Sequence, residues 1–89
     1  MPFNLSTVQD VKLDIGVWLR LMRKSRKLSQ AEFASELGVS RITLQNAENG
    51  KNITIDTLLL LFRHFDELEG IHKFIREKKE GLANNRSLY

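Results

Sequence analysis

The chain has no cysteine, and its single proline, Pro2, sits at the start. Without thiols there is no disulfide framework, thiolate metal site or cysteine nucleophile. That composition fits the cytoplasm, although exported proteins also lack cysteine. Without internal proline, glycine is the one helix breaker left inside the chain. No apolar run approaches the roughly 18 to 20 residues of a membrane span. Met1–Asp10 lacks the basic-then-apolar order of a signal peptide. The expectation is a soluble, cytoplasmic protein with no membrane partner. Chemistry is sparse as well. His64 and His72 lie on different predicted helices with no carboxylate pattern beside them, so they read as surface or boundary residues and not as metal ligands. No serine, histidine and acid set is legible, and no glycine loop suits a phosphate. Neither an enzyme nor a cofactor is expected.

What is present is compact and basic in one place. The 89 residues suffice for one domain with a thin core, for which pairing with a second chain is a reasonable route to stability. The net charge of +3 says little, but its distribution says more. From Arg20 to Lys51 there are seven basic residues and three acidic ones, while elsewhere seven basic face eight acidic. Concentrated positive charge suits phosphate. Arg23–Lys27 also has a plainer reading as a solvated helix end.

No segment reads as a strand, and the caps and periods give five helices. The first spans about Asp10 to Arg26, with Ile15, Leu19 and Met22 as its buried stripe. The second opens at Ser29, with Glu32 three residues on as a capping box. Leu28 and Phe33 suit a hydrophobic staple across that cap. This helix ends at Leu37, before Gly38. Ser40 caps the third, with Val39 and Leu44 as staple, and Gly50 stops it. Thr54 caps the fourth, from Ile55 to about Phe65. Asp66 and Glu69 suggest a cap for the fifth, from about Glu67 to Glu80, which Gly70 weakens. Residues 1–9 read as an arm, 10–80 as the domain and 81–89 as a polar tail.

Two short helices joined by about three residues cross steeply, as in a helix-turn-helix. Helix three then divides by face. Leu44 and Ala47 point inward. Arg41, Ile42, Gln45 and Asn46 share the other side at steps of three and four. A guanidinium, two amides and an aliphatic side chain are the groups that read base edges. Each alone also reads as an ordinary exposed residue.

At these positions the chain resembles the Cro/phage-repressor type helix-turn-helix, or XRE, family. The resemblance rests on Ile15-Gly16, Leu19-Arg20, Arg23, Leu28-Ser29-Gln30-Ala31-Glu32, Ala34, Leu37-Gly38-Val39-Ser40, Thr43-Leu44, Glu48-Asn49-Gly50-Lys51 and Thr57-Leu58-Leu59. It implies an all-α, five-helix lambda-repressor-like DNA-binding domain. Such a domain binds double-stranded operators as a dimer, with the second helix of the motif in the major groove. Carried over, Gln30, Ser40, Thr43, Asn49 and Lys51 touch phosphate. Arg41, Ile42 and Asn46 read bases with Gln45 beside them, and Arg23 pairs with Glu48. One departure stands at Lys27, where the family often has glycine. Helix one therefore ends without a glycine cap or runs on slightly.

Beyond the reading head, Leu58–Phe62 is five apolar residues in a row, so at least one should lie outside the core. Leu60 is the candidate. With Leu68, Ile71, Phe74 and Ile75 of helix five it forms the expected homodimer surface. Trp18, one step off the first stripe, reads as partial core. The passage Gly50–Leu59 followed by Arg63-His64-Phe65 resembles antitoxin repressors that accompany HipA-type kinase toxins. Three functions follow: a dimeric repressor of a palindromic operator, an antitoxin holding a toxin protein, and a pure protein-interaction module. The basic cluster and the amide-rich face argue against the third.

Overall fold

The computed structural model describes residues 6–86, with side chains through residue 84. Among these are five helices and no strand: α1 (Val8–Ser25), α2 (Gln30–Leu37), α3 (Arg41–Glu48), α4 (Ile55–His64) and α5 (Leu68–Arg86). Of the expected arm and tail, residues 1–5 and 87–89 lie outside the described residues.

The starts of α1 to α4 each follow from a side chain that satisfies an orphan backbone N–H. Ser29 Oγ accepts from Glu32 N at 3.0 Å, and the Glu32 carboxylate accepts from Ser29 N at 2.8 Å. Ser40 accepts from Thr43 N at 3.0 Å, and Thr54 from Thr57 N at 3.1 Å. α1 starts two residues earlier than the apolar stripe indicates. Thr7 and Asp10 form a further reciprocal cap, with both bonds at 3.0 Å.

The helix ends share one device. α1 to α4 are each followed by a residue at positive φ: Lys27 (58°), Gly38 (76°), Gly50 (71°) and Asp66 (60°). In each case the next N–H bonds back five residues: Leu28 to Arg23, Val39 to Ala34, Lys51 to Asn46 and Glu67 to Phe62, at 2.7–3.1 Å. This is the Schellman arrangement. It decides the alternative left open for helix one, which ends without a glycine cap, and corrects one expectation for helix five. Helix one does not run on, because Lys27 adopts the left-handed conformation that glycine would take more cheaply. Asp66 does not cap helix five, because it closes α4, and α5 begins only at Leu68. α5 also continues through Gly81 to Arg86, past the expected end at Glu80. A lone glycine costs only about 1 kcal/mol and does not stop a helix that continues into good formers such as Leu82 and Ala83.

The chain divides into two compact units, Met1–Thr57 and Leu58–Tyr89. In the first, α3 packs against both α1 and α2. Leu19, Phe33, Ala34, Leu37, Leu44 and Ala47 are its buried apolar residues. Trp18 is half-buried. Gly16 marks a close approach of α1 to α3: a Cβ there would lie 2.8 Å from the Ala47 carbonyl oxygen. In the second unit Leu61 is buried, whereas Leu60 is exposed. On α5, Ile71, Phe74, Ile75 and Leu82 are all exposed. Leu59, Leu68, Ile71, His72 and Ile75 line an apolar groove of about 250 Å³. No helix among the described residues is long and apolar enough to cross a membrane.

Candidate nucleic-acid interface

α2 and α3 are joined by Gly38, Val39 and Ser40 alone. Gly38 supplies the left-handed corner and Ser40 restarts the helix. The buried Leu44 and Ala47 then fix the rotation of α3 about its own axis. That rotation leaves Arg41 and Ile42 exposed and Gln45 and Asn46 half-exposed. Ile42 retains 57% of its accessible surface.

The acid of α3 is withdrawn from this surface. Glu48 is only 3% exposed. Arg23 grips it with two bonds, Nε to Oε2 at 2.7 Å and Nη2 to Oε1 at 3.1 Å. Arg23 also donates to the Leu28 carbonyl at 3.2 Å, so one guanidinium ties α1 to the loop before α2 and to the end of α3. Gln30 Nε2 donates to Glu48 Oε1 at 3.1 Å. Burial pushes the Glu48 carboxyl up. The hydrogen bonds from Arg23 and Gln30, with the charges of Arg23 and Arg20, outweigh it and hold the group below its ordinary range. The same bond to Glu48 raises Arg23.

Arg20, counted from sequence in the basic segment and in the family resemblance, was assigned no contact there. Its Nη2 donates to the Glu48 carbonyl at 3.1 Å and reaches Asn49 Oδ1 at 3.5 Å. The signal was its place one turn before Arg23, which puts both guanidinium groups on the side of α1 that meets α3. Further along the edge, Ser40 and Thr43 share one hydroxyl bond of 2.8 Å, so one of their two hydroxyl protons is left for an outside acceptor. Lys51 is exposed just past α3. The result is an outward α3 face without a carboxylate, bordered by Gln30, Ser40, Thr43, Asn49 and Lys51.

The profile of the helix-turn-helix family matches residues 19–69, more than half of the chain and the whole of this site. The chain belongs to the Cro/phage-repressor type helix-turn-helix (XRE) family. Its all-α fold is accordingly lambda-repressor-like. The XRE protein is a DNA-binding transcriptional regulator, and its partner is double-stranded DNA. No curated protein matches the chain. In helix-turn-helix proteins generally, the second helix of the motif lies in the major groove and the first crosses the backbone. α3 and α2 of this XRE protein occupy those places in the motif.

Proposed function

We propose that the protein is a dimeric repressor that reads a palindromic operator through the major groove. The observation that carries this reading is the outward face of α3, where Arg41 and Ile42 stand exposed while the only acid of the helix is buried and paired. Arg41 suits the O6 and N7 acceptors of guanine, Gln45 and Asn46 suit adenine, and Ile42 suits the thymine methyl. Gln30, Ser40, Thr43, Asn49 and Lys51 hold the phosphate backbone, positioning the helix without reading sequence. The exposed apolar residues of α5, namely Ile71, Phe74 and Ile75, together with Leu68 and Leu60, supply the dimer surface.

Selection of sites from a randomised duplex pool tests the proposal. The expected product is an inverted repeat with half-sites about one helical turn apart. Recovery of a single asymmetric half-site, or of no consensus, contradicts it.

The antitoxin reading has the Gly50–Leu59 passage in its favour. Much of that passage is explained by folding. Gly50 takes a left-handed φ against Leu13, and Thr54 and Thr57 build the cap of α4. A toxin gene adjacent to this one would restore the second reading.

A further inference from the structure

Two of the side chains assigned to the DNA backbone are held by the network around the buried Glu48. The Gln30 amide donates to Glu48 Oε1 at 3.1 Å. The Asn49 amide accepts from Arg20 Nη2 at 3.5 Å. We propose that Glu48 and Arg20 are positioning residues for DNA binding, which fix the orientation of these two amides so that each presents N–H groups to a phosphate.

An amide has a donor end and an acceptor end that are nearly equal in shape, whereas a phosphate oxygen only accepts. An amide free to flip meets the phosphate with its oxygen in half of its orientations. Glu48 removes that choice for Gln30. A carboxylate accepts only, so the nitrogen must face it, and one N–H of that nitrogen remains for a second acceptor. Arg20 removes the choice for Asn49 in the opposite sense. A guanidinium donates only, so the oxygen must face it and both N–H groups are left outward. Both holders are themselves held. Glu48 is gripped at both oxygens by Arg23, and Arg20 is anchored on the Glu48 carbonyl at 3.1 Å. The ordering that a phosphate contact requires is therefore complete before DNA arrives, which strengthens binding without adding a contact. The ion pair that closes the fold thus also sets the edge of the reading head. The inference rests on the assignment of Gln30 and Asn49 to phosphate.

The test uses the full chain and a duplex carrying the site that the wild-type protein selects. Affinity is measured at one salt concentration and neutral pH for Gln30→Ala, Glu48→Gln and the double variant. In Glu48→Gln the new amide keeps its oxygen on Arg23 Nε and puts its NH₂ in the place of Oε1, where it loses the bond from Arg23 Nη2 and faces Gln30, which must flip to accept. Each single variant is expected to bind about tenfold more weakly, the scale of one hydrogen bond to a charged group. The double variant should bind no more weakly than Glu48→Gln alone. A parallel cycle with Arg20→Gln and Asn49→Ala leaves the Arg23–Glu48 pair intact, so a folding defect in Glu48→Gln does not remove the test. A purely structural role lowers thermal stability but lets the DNA-binding losses multiply, and multiplied losses in both cycles overturn the proposal. Wild-type affinity in both Gln30→Ala and Asn49→Ala overturns the phosphate assignment itself, and the proposal with it.

Discussion

Gly16 and Ala47 meet where α1 crosses the end of α3, and a methyl group on Gly16 would stand 2.8 Å from the Ala47 carbonyl oxygen. The Glu48 carbonyl is closer still. Both obstacles are backbone, which cannot swing aside as a side-chain tip does. Gly16→Ala must therefore push α3 away from α1. We expect a destabilisation of about 1–3 kcal/mol, the range of overpacked cores. Urea unfolding should show a lower midpoint at unchanged slope. A wild-type midpoint would mean that the helices separate freely at this point.

Lys27 offers the opposite change. Its φ of 58° is the conformation in which a side chain costs about 1 kcal/mol and glycine costs little. Lys27→Gly should stabilise the protein by roughly that amount, raising the melting temperature by about 4–8 °C for a chain of this size. Because Lys27 also belongs to the basic cluster, DNA affinity and melting temperature should move in different directions if its charge helps to attract DNA. An unchanged or lower melting temperature refutes the argument from backbone conformation.

These two positions show what was and was not legible in the sequence. Ser29-x-x-Glu32, Gly38, Ser40, Gly50 and Thr54 announce their roles, because one residue type fits one local geometry. Lys27 and Asp66 hide theirs, since a left-handed end closed by lysine or aspartate is set by the bond back to Arg23 or Phe62 and not by the residue itself. Thr7 was missed because aspartate stands three residues on, where the capping-box pattern expects glutamate or glutamine. The outward face of α3 could be read from spacing, since Leu44 and Ala47 fix its opposite side. Spacing put Arg20 on the side of α1 that bears Arg23 but could not name its partners, which lie on α3 and just beyond it, 28 and 29 residues away in sequence.

Glu48 makes stability depend on pH in a definite direction. Its carboxyl is held below the ordinary value of 4.5 in the folded protein. A depressed carboxylate contributes stability that is present above the unfolded value and is lost as pH falls through the folded one. Unfolding free energy should therefore be flat near neutrality and drop below about pH 4.5. Glu32, lowered by its bonds from Ser29, contributes in the same window. Glu32→Gln keeps the cap and isolates the Glu48 share. Glu48→Gln should start less stable and show a shallower acid slope. Arg23→Ala should cost about 3 kcal/mol by leaving the buried carboxylate without its main partner. A double-mutant cycle of Arg23→Ala with Glu48→Gln that shows no coupling would contradict this account.

Arg41 and Lys51 should separate reading from holding. Arg41→Ala is expected to weaken cognate binding by roughly 1–3 kcal/mol and to relax preference at one base pair. Lys51→Ala should weaken all duplexes alike and lower the log–log salt slope by about 0.9, the share of one neutralised phosphate. Selection on randomised sites checks the first, and titration at several salt concentrations the second. An unchanged consensus for Arg41→Ala would move the reading face elsewhere on α3.

Phe74 is the place to break the proposed dimer. It keeps 56% of its surface exposed, and the Lys78 ammonium lies over its ring at 5.2 Å, so replacing it should not disturb the fold of its own chain. Beside it, Ile71 and Ile75 are exposed as well and line the apolar groove. An apolar surface of this kind stabilises association when a second copy covers it. A glutamate there would have to be buried against the partner without a matching charge, which is costly. Phe74→Glu should sediment as a monomer with unchanged helical content. One head reads only a few base pairs, so operator affinity should fall by about a thousandfold or more, towards the non-specific level. Its residual binding should still depend steeply on salt, because the phosphate contacts of each head remain. A Phe74→Glu protein that stays dimeric would place the interface away from α5. A monomeric one that keeps full operator affinity would show that a single head suffices.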